Sequence, residues 1–295
     1  MKTLDRFIDY IKIEKRYSPL TVRAYFDDIL QFSDFCNEQL SVKDFITVTH
    51  ADIRFWIIYL LDKGISARSL RRKIASLNSF FKYCIRNEYI SQNPVEGIML
   101  PRLDKKLPEF IKETSIGSIF EPQQFDNNFS GIRDRFVLEL FYATGIRLSE
   151  LVGLTENSYD QEKQELRIIG KRNKERIVPL THHLVTVLSE YMDERTKIFG
   201  QLSHKFLVVT DNGLPAYSRM IQRLVRKYLA KGTSLDKKSP HLLRHTFATH
   251  MLNNGADLNA VKELLGHANL AATEIYTHNT YEKLKAIYKQ AHPRA

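Results

Sequence analysis

The sequence predicts a mainly helical protein of two domains, with one small β-hairpin in the second domain. Apolar residues recur at helical spacing through most of the chain, a charged stretch with prolines at 101–108 interrupts that spacing, and two β-rich runs flank a turn near residue 170. A chain of 295 residues also exceeds the usual size of a single core. We therefore expect an N-terminal helical domain at 1–100, a linker at 101–108 and a larger mixed domain at 109–295.

The composition favours a folded protein that binds a polyanion. Lys and Arg outnumber Asp and Glu by 44 to 34, which gives a formal charge of +10. Such an excess suits nucleic acid, although a solvated basic surface would produce the same balance. No apolar run approaches the roughly 20 residues that span a bilayer, and the N-terminus lacks the pattern of a signal peptide. We expect a cytoplasmic protein without membrane association, in which Cys36 and Cys84 are reduced core thiols.

The first hundred residues carry four helical patterns with recognisable boundaries. Ser18-Pro19 supplies an N-cap and a proline at the first helical position, and the helix after it is expected to end near Asn37. Thr49 caps a third helix, which should stop where Gly64 can adopt a left-handed conformation. A fourth pattern begins with Ser66 or Ser69 as its cap. Together these patterns predict a helical bundle.

A basic cluster crowds the first turns of the fourth helix. Arg71, Arg72 and Lys73 lie there, although cations oppose the dipole at a helix N-terminus. Because helix stability does not explain them, we interpret them as contacts to DNA phosphates, with simple solvated charges as the alternative. Thr21 and Arg23 are further DNA-contact candidates.

The second domain alternates helical patterns with the hairpin. We expect the hairpin over 165–180 and helices over 133–144, 183–197, 219–231, 243–253 and 258–265. An apolar stripe through Leu284, Ile287 and Tyr288 predicts a short final helix. On the helix that starts near Arg219, the polar residues Arg219, Gln222 and Arg223 are DNA-contact candidates.

Four short segments of this domain carry residue types suited to phosphate chemistry. They are Arg147-Leu-Ser-Glu150, Gly170-Lys171, His241-x-x-Arg244, and Gly266-His267 with Tyr276 nine residues further on. In this order and spacing they resemble the tyrosine recombinase (phage integrase) family, and most closely its XerC and XerD group of chromosome-dimer recombinases. The resemblance covers essentially the whole chain. One departure is the residue after the lysine, where relatives commonly have glycine; Lys174 shares this turn, but we prefer Lys171 because it directly follows Gly170.

The resemblance implies a fold and a reaction. The fold would pair a SAM-like helical core-binding domain with a mainly helical catalytic domain, the two closing on duplex DNA as a C-shaped clamp. Tyr276 would attack the scissile phosphate and form a 3′-phosphotyrosyl link, which conserves the bond energy so that rejoining needs no ATP. The activating residues would be Arg147, Lys171, His241, Arg244 and His267.

These residue types fit the chemistry of a phosphodiester. Arg147 and Arg244 offer planar, permanently charged donors for the non-bridging oxygens, on which charge builds in the transition state. His241 and His267 can add hydrogen bonds or handle protons, and Lys171 can protonate the leaving 5′-oxygen. Glu150, one helical turn after Arg147, either orients a catalytic side chain or is a plain surface residue. We expect no cofactor and no metal, because the histidines lack companion ligands at metal-site spacing.

The resemblance also implies partners and leaves alternatives open. Double-stranded DNA at a specific site is the expected substrate, with resolution of chromosome dimers at a dif-like site as the leading function. A homo- or hetero-tetrameric synapse, formed with itself or a Xer paralogue, would be held through the final helix, unless that helix packs on its own domain. An FtsK-like DNA translocase is a possible activator. A mobile-element integrase or invertase of the same family is one alternative, and a non-catalytic DNA-binding architectural protein is another.

Overall fold

The chain divides into two compact units, Met1–Lys106 and Leu107–Ala295, each with its own hydrophobic core. The computed structural model describes residues 2–102, 109–170, 173–266 and 278–294. Within those ranges, no helix is both long enough and apolar enough to cross a membrane.

The described part of the first unit is a bundle of four α-helices. They are α1 (Lys2–Asp9), α2 (Pro19–Leu40), α3 (His50–Asp62) and α4 (Ala67–Arg86). The caps predicted from the sequence begin three of them: the Ser18 hydroxyl accepts the Thr21 amide at 3.2 Å, Thr49 and Asp52 form a capping box, and Ser66 caps α4. Helix α2 continues past the expected end near Asn37, because the chain first turns to a left-handed conformation at residue 41.

Aromatic packing fills the core of this unit. The rings of Phe32 and Trp56 lie edge to face with centroids 4.9 Å apart, and both side chains are fully buried. Cys36 and Cys84 are free and buried, as the sequence predicts, and burial raises the pKa of each thiol to about 12. Both thiols therefore act as small apolar side chains.

The second unit surrounds one almost wholly buried helix. Its helices are α5 (Glu113–Ile119), α6 (Phe129–Thr144), α7 (Leu148–Val152), α8 (His182–Phe199), α9 (Ser218–Gly232), α10 (Pro240–Asn253), α11 (Leu258–Leu265) and α12 (His278–Ala291). Its strands are β1 (Tyr159–Asp160), β2 (Glu165–Ile169) and β3 (Glu175–Pro179), antiparallel in that order. Helix α6 is the buried one, and it packs against α8 and α10.

Sequence and structure agree on the longer elements of this unit and differ on the shorter ones. Helix α11 has the expected bounds, whereas α5, α7 and β1 were not expected, since each has too few residues to show a period. Helix α10 starts at Pro240 and not at Leu243, as we expected from the sequence. The earlier start places His241 and Arg244 on one helix, one turn apart.

Gly145 determines how closely the end of α6 approaches the later helices. Its φ of +57° lies in the left-handed region that favours glycine. A Cβ at this position would lie 2.6 Å from both Leu265 Cδ2 and Phe247 Cδ1. The residue after α6 therefore packs directly against α10 and α11, which brings the segment that carries Arg147 towards both helices.

Candidate active site

The first candidate pair, Arg147 and Glu150, lies at the start of α7. Glu150 Oε2 accepts the backbone amide of Arg147 at 2.9 Å, which caps the helix, and Oε1 accepts Arg147 Nη1 at 2.7 Å. The Glu150 side chain is 4% exposed and that of Arg147 is 33% exposed. Glu150 is thus a buried residue that orients Arg147, which excludes the plain surface role considered as the alternative.

Arg244 reaches the same place from α10. Its Nη1 donates to the carbonyl oxygen of Gly145, and its Nη2 donates to that of Leu265 at 2.6 Å. Burial lowers the pKa of Arg244 to about 10, and the charges of Arg147 and Arg176 act in the same direction. The guanidinium groups of Arg147 and Arg244 are therefore close enough to repel one another.

A third arginine, Arg176 on β3, completes the group, and the sequence analysis did not name it. Its Nη1 and Nη2 donate to the two oxygens of Glu150 at 3.0 and 2.7 Å, and its Nε donates to the carbonyl oxygen of Leu264 at 2.9 Å. The only local signal is strand alternation: Arg176 shares the inward face of β3 with Val178, where an apolar residue is usual. We call Arg147, Arg176, Arg244 and Glu150 the arginine cluster.

The arginine cluster is closed by the end of α11. Gly266 follows the last residue of this helix with a φ of +65°, and helix C-termini carry partial negative charge on their carbonyl oxygens. Each arginine binds one of three consecutive carbonyl oxygens there: Arg176 binds that of Leu264, Arg244 that of Leu265, and Arg147 that of Gly266 at 3.0 Å. Segments far apart in the sequence therefore converge at one point.

The cluster holds three guanidinium groups and one carboxylate. Burial alone would raise the pKa of Glu150, but hydrogen bonds and charge from Arg176, with hydrogen bonds from Arg147, outweigh burial and lower that pKa to about 2. Glu150 is therefore ionised at neutral pH and neutralises one of the three cations. The remaining positive charge suits a bound anion such as a phosphate.

Two glycines lie against the cluster, and each immediately precedes a predicted catalytic residue. A Cβ on Gly170 would lie 3.4 Å from Glu150 Oε1, and a Cβ on Gly266 would lie 3.1 Å from Arg176 Nη1. Lys171 and His267 follow these glycines. Lys171, His267 and Tyr276 themselves lie outside the described residues.

The remaining predicted catalytic residue, His241, is exposed in the first turn of α10. It precedes Arg244 by three positions, so both side chains emerge on a similar side of the helix. Among the residues predicted to be catalytic or supporting, the structure thus brings together Arg147, Glu150 and Arg244, with His241 on the helix that carries Arg244.

Comparison with known proteins agrees with this architecture. The phage integrase family model matches residues 110–283, and the model of the phage integrase N-terminal SAM-like domain matches residues 4–88. The chain belongs to the phage integrase family. The chain is therefore a tyrosine recombinase.

Curated relatives that match over nearly their whole length share one name. Tyrosine recombinase XerC of Chlorobaculum parvum is 40% identical, over 99% of this chain and 94% of that protein. Tyrosine recombinase XerC of Listeria monocytogenes is also 40% identical, over 100% of this chain and 98% of that protein. Similarity at this level over the whole length supports a site-specific recombinase of the Xer type.

A solved structure confirms the fold class. The XerH site-specific recombinase bound to a palindromic difH substrate matches with a TM-score of 0.74, over 96% of this chain and 83% of that one. Its sequence identity of 22% makes this a likeness of fold. The prediction of a mainly helical fold, with a SAM-like N-terminal domain and a small sheet, is therefore confirmed.

In the N-terminal unit of the recombinase, the three DNA-contact candidates of α4 all bind protein acceptors, and their side chains differ in exposure. Lys73 is buried, and its Nζ donates to Asp28 Oδ1 at 3.0 Å. The half-exposed Arg72 side chain binds the other oxygen of Asp28, and Arg71 donates to the Pro101 carbonyl oxygen through Nε and Nη2 at 3.1 and 2.8 Å. The basic first turns of α4 thus have a structural explanation that the sequence argument lacked, and this geometry does not favour a phosphate contact by Lys73.

The other DNA-contact candidates lie at the surface. Arg23 on α2 is 82% exposed, and Thr21 shares a 2.8 Å hydrogen bond with the capping Ser18 hydroxyl. On α9 of the recombinase, three exposed polar residues follow one another along the helix: Arg219, Gln222 and Arg223. All of these side chains are accessible to a ligand, and their contact with DNA stays a prediction.

The final helix of the recombinase packs on its own catalytic unit. Helix α12 contacts α10, α11 and β3, with Leu284 and Tyr288 buried and the Tyr288 hydroxyl donating to the Ala143 carbonyl oxygen at 3.0 Å. Beyond the helix, Arg294 donates to both oxygens of the buried Glu139 at 2.8 Å. In the single chain, the apolar stripe of α12 is therefore covered by the same protomer. The sequence analysis gave this packing as the alternative to docking on a neighbour.

Proposed function

We propose that this recombinase cleaves and rejoins DNA at a specific site through a 3′-phosphotyrosyl intermediate on Tyr276. The observation that carries the proposal is the arginine cluster, because it offers excess positive charge at the point where α7, β3, α10 and the end of α11 meet. A scissile phosphate carries one negative charge and gains more on its non-bridging oxygens during attack, so this is the environment that lowers its barrier.

In the proposed reaction, each described residue has one task. Arg147 and Arg244 bind the non-bridging oxygens with the donors that they do not use on Glu150 and on carbonyl oxygens. Glu150 keeps Arg147 in place. His241, exposed on the same helix as Arg244, adds a hydrogen bond or transfers a proton.

The covalent step is balanced without any further reactant. The Tyr276 hydroxyl gives its proton to His241 or His267 as its oxygen forms a bond to phosphorus, the bond from phosphorus to the 5′-oxygen breaks, and Lys171 gives that 5′-oxygen a proton. His267 assists at the phosphate. Rejoining reverses each of these events, so no ATP and no metal ion enters the scheme.

We further propose that the biological substrate is a dif-like chromosomal site and that the reaction resolves chromosome dimers in the cytoplasm. Full-length identity of 40% to proteins named XerC supports this over an integrase or invertase of a mobile element. In this proposal, residues 1–100 form the core-binding domain, 101–108 the linker and 109–295 the catalytic domain. A non-catalytic architectural role is less favoured, because such a role would not require a buried cluster with excess positive charge.

The covalent step can be tested with a nicked suicide substrate that traps the intermediate. The wild-type protein should form an SDS-resistant protein–DNA adduct, and Tyr276→Phe should form none, because the phenylalanine ring has no nucleophilic oxygen. Tyr159→Phe is the matched control, since Tyr159 is a half-buried tyrosine of β1 in the same unit and should leave the adduct unchanged. An undiminished adduct with Tyr276→Phe would refute the assignment.

We propose that the active form is a synapse of four protomers on two duplexes, composed of this chain alone or with a Xer paralogue, and responsive to an FtsK-like DNA translocase. Helix α12 would leave its position on α10 and bind the same surface of a neighbour. Deletion from Glu282 onward should then abolish complexes that contain two duplexes while sparing binding to one site. Mass measurement of the DNA complexes tests this, with circular dichroism to check that the truncated protein is folded. A truncated protein that still pairs two duplexes contradicts the assignment to α12.

A further inference from the structure

We propose that Arg176 is a positioning residue for the cleavage reaction, one that fixes Glu150 and the end of α11 relative to each other. The inference rests on the proposed function, since it concerns the same phosphate site. Arg176 acts through its neighbours, because its bonds lead to the residues that surround the phosphate and not to the phosphate itself.

The bonding of Arg176 distinguishes it from the other two arginines. All three of its nitrogen atoms donate to protein acceptors, two to Glu150 and one to the Leu264 carbonyl oxygen. Its side chain is 5% exposed, whereas that of Arg147 is 33% exposed. Arg147 and Arg244 each have an Nε without a hydrogen-bond partner among the described residues. Arg147 and Arg244 can therefore turn a free Nε donor towards a ligand, whereas every nitrogen of Arg176 already binds a protein acceptor.

The contacts of Arg176 join three segments that the backbone does not connect locally. Arg176 lies on β3, Glu150 belongs to α7, and Leu264 is the penultimate residue of α11. Glu150 in turn holds the backbone amide and Nη1 of Arg147. Any shift of Arg176 would therefore move Arg147 and the end of α11, which leads directly to His267.

Close packing leaves Arg176 little freedom to move. A Cβ on Gly266 would lie 3.1 Å from both Cδ and Nη1 of Arg176, so a side chain at this position would push against the arginine. A Cβ on Gly170 would lie 3.9 Å from Nη1 on another side. Because the guanidinium is planar and rigid, this enclosure fixes the direction of all three of its bonds.

The decisive substitution is Arg176→Lys, because it keeps the charge and removes the fork. One ammonium group cannot bind both oxygens of Glu150 and the Leu264 carbonyl oxygen with the same geometry. If Arg176 supplied only positive potential, lysine would replace it well. If Arg176 positions its neighbours, lysine should fail while the DNA affinity, set by surface charge, stays near that of the wild type.

The chain provides a matched control in Arg195. This arginine is equally buried, with a 5% exposed side chain, and it also binds one carboxylate and one carbonyl oxygen, those of Glu156 at 2.6 Å and Phe206 at 3.1 Å. None of its hydrogen-bond partners belongs to the arginine cluster. Arg195→Lys should therefore report what the loss of a buried arginine fork costs in folding alone.

The experiment measures single-turnover cleavage of the nicked substrate at saturating DNA, together with the dissociation constant and the denaturation midpoint. Arg176→Lys should slow cleavage by roughly 10- to 100-fold, the usual cost of losing an orienting partner, with little change in DNA affinity. Arg195→Lys should lower the denaturation midpoint and leave the cleavage rate of the folded protein unchanged. Cleavage by Arg176→Lys at the rate of wild type, or slowed no more than by Arg195→Lys, would overturn the inference.

A second variant keeps the inference testable if Arg176→Lys does not fold. Glu150→Gln retains the shape of the side chain but removes the charge and one acceptor for Arg176. Because the substitution removes a negative charge, the affinity for DNA should stay equal or increase. Slower cleavage would therefore come from lost positioning. A cleavage rate that is unchanged or higher contradicts the inference. Tyr276→Phe is measured in parallel: an adduct in that variant refutes the proposed function, whereas its absence together with normal cleavage by the position-176 and position-150 variants refutes this inference only.

Discussion

In each unit of the molecule, two cationic side chains bind a buried carboxylate, Asp28 in the first unit and Glu150 in the second, and the two sites differ in what surrounds the carboxylate. In the N-terminal unit, Asp28 accepts bonds from Arg72, Lys73 and the Ser76 hydroxyl at 2.9 Å, all of which lie on α4. These contacts attach α2 to α4. The donors come from a single helix, and one of them, Arg72, keeps half of its side chain at the surface.

Around Glu150 the donors come from different parts of the chain, and a third arginine is present that does not bind the carboxylate. Arg244 is bound to carbonyl oxygens instead, and burial together with its cationic neighbours lowers its pKa to about 10. A protein that needed only to satisfy Glu150 would not bury this additional cation, because burial of an uncompensated charge is costly. Asp28 and its cationic partners therefore form ion pairs that join two helices, whereas the arginine cluster keeps a net positive charge that can bind an anion.

Substitution of Arg244 is expected to have the largest effect on the cleavage rate, and it tests the difference between the two sites. Arg244→Lys should lower the single-turnover cleavage rate by about 100- to 1,000-fold, the usual range for loss of one donor to a developing oxyanion. A lysine carries its three donors on one nitrogen, so it cannot hold the carbonyl oxygens of Gly145 and Leu265 with the fork geometry of arginine while it reaches the phosphate. Cleavage of the nicked substrate measures the rate, with Arg195→Lys as the buried control. A rate within the range of that control would remove Arg244 from the reaction.

A smaller effect, on stability and not on cleavage, is expected at Asp28. Asp28→Asn leaves Lys73 buried without its counter-ion and should lower the free energy of unfolding of the N-terminal unit by about 3 kcal/mol. Urea denaturation measures this loss. Asp27→Asn is the control, since Asp27 is exposed and 3.9 Å from Arg23, and it should change little. If Asp28→Asn slowed cleavage by the folded protein at saturating DNA, the separation of the two sites would be wrong.

The helical framework could be predicted from the sequence where its signals are local. Ser18-Pro19 and Thr49 mark helix starts because a cap needs only residues within one turn, and these helices begin as expected. Helix α7 was missed because five residues do not show a helical period. This helix begins where Glu150 caps the amide of Arg147. The sequence analysis considered only that Glu150 orients a catalytic side chain.

The candidate site was predictable where its residues form motifs and not where they depend on distant partners. Arg147 and Arg244 were found through the family resemblance, and the structure brings both to consecutive carbonyl oxygens at the end of α11. Arg176 was missed because its partners lie 26 and 88 positions away. Lys73 was interpreted as a DNA contact for the same reason, since its partner Asp28 lies 45 positions earlier in the chain.

The bonds from three arginines to consecutive carbonyl oxygens of residues 264–266 make this part of the recombinase tolerant of some mutations and sensitive to others. Backbone acceptors are present whatever the side chain, so hydrophobic replacements in α11 can accumulate without loss of a single one of these bonds. Insertion or removal of one residue in this helix would instead turn the acceptors by about 100° and shift them by about 1.5 Å. Divergence at this helix should therefore proceed by replacement of residues, at constant length.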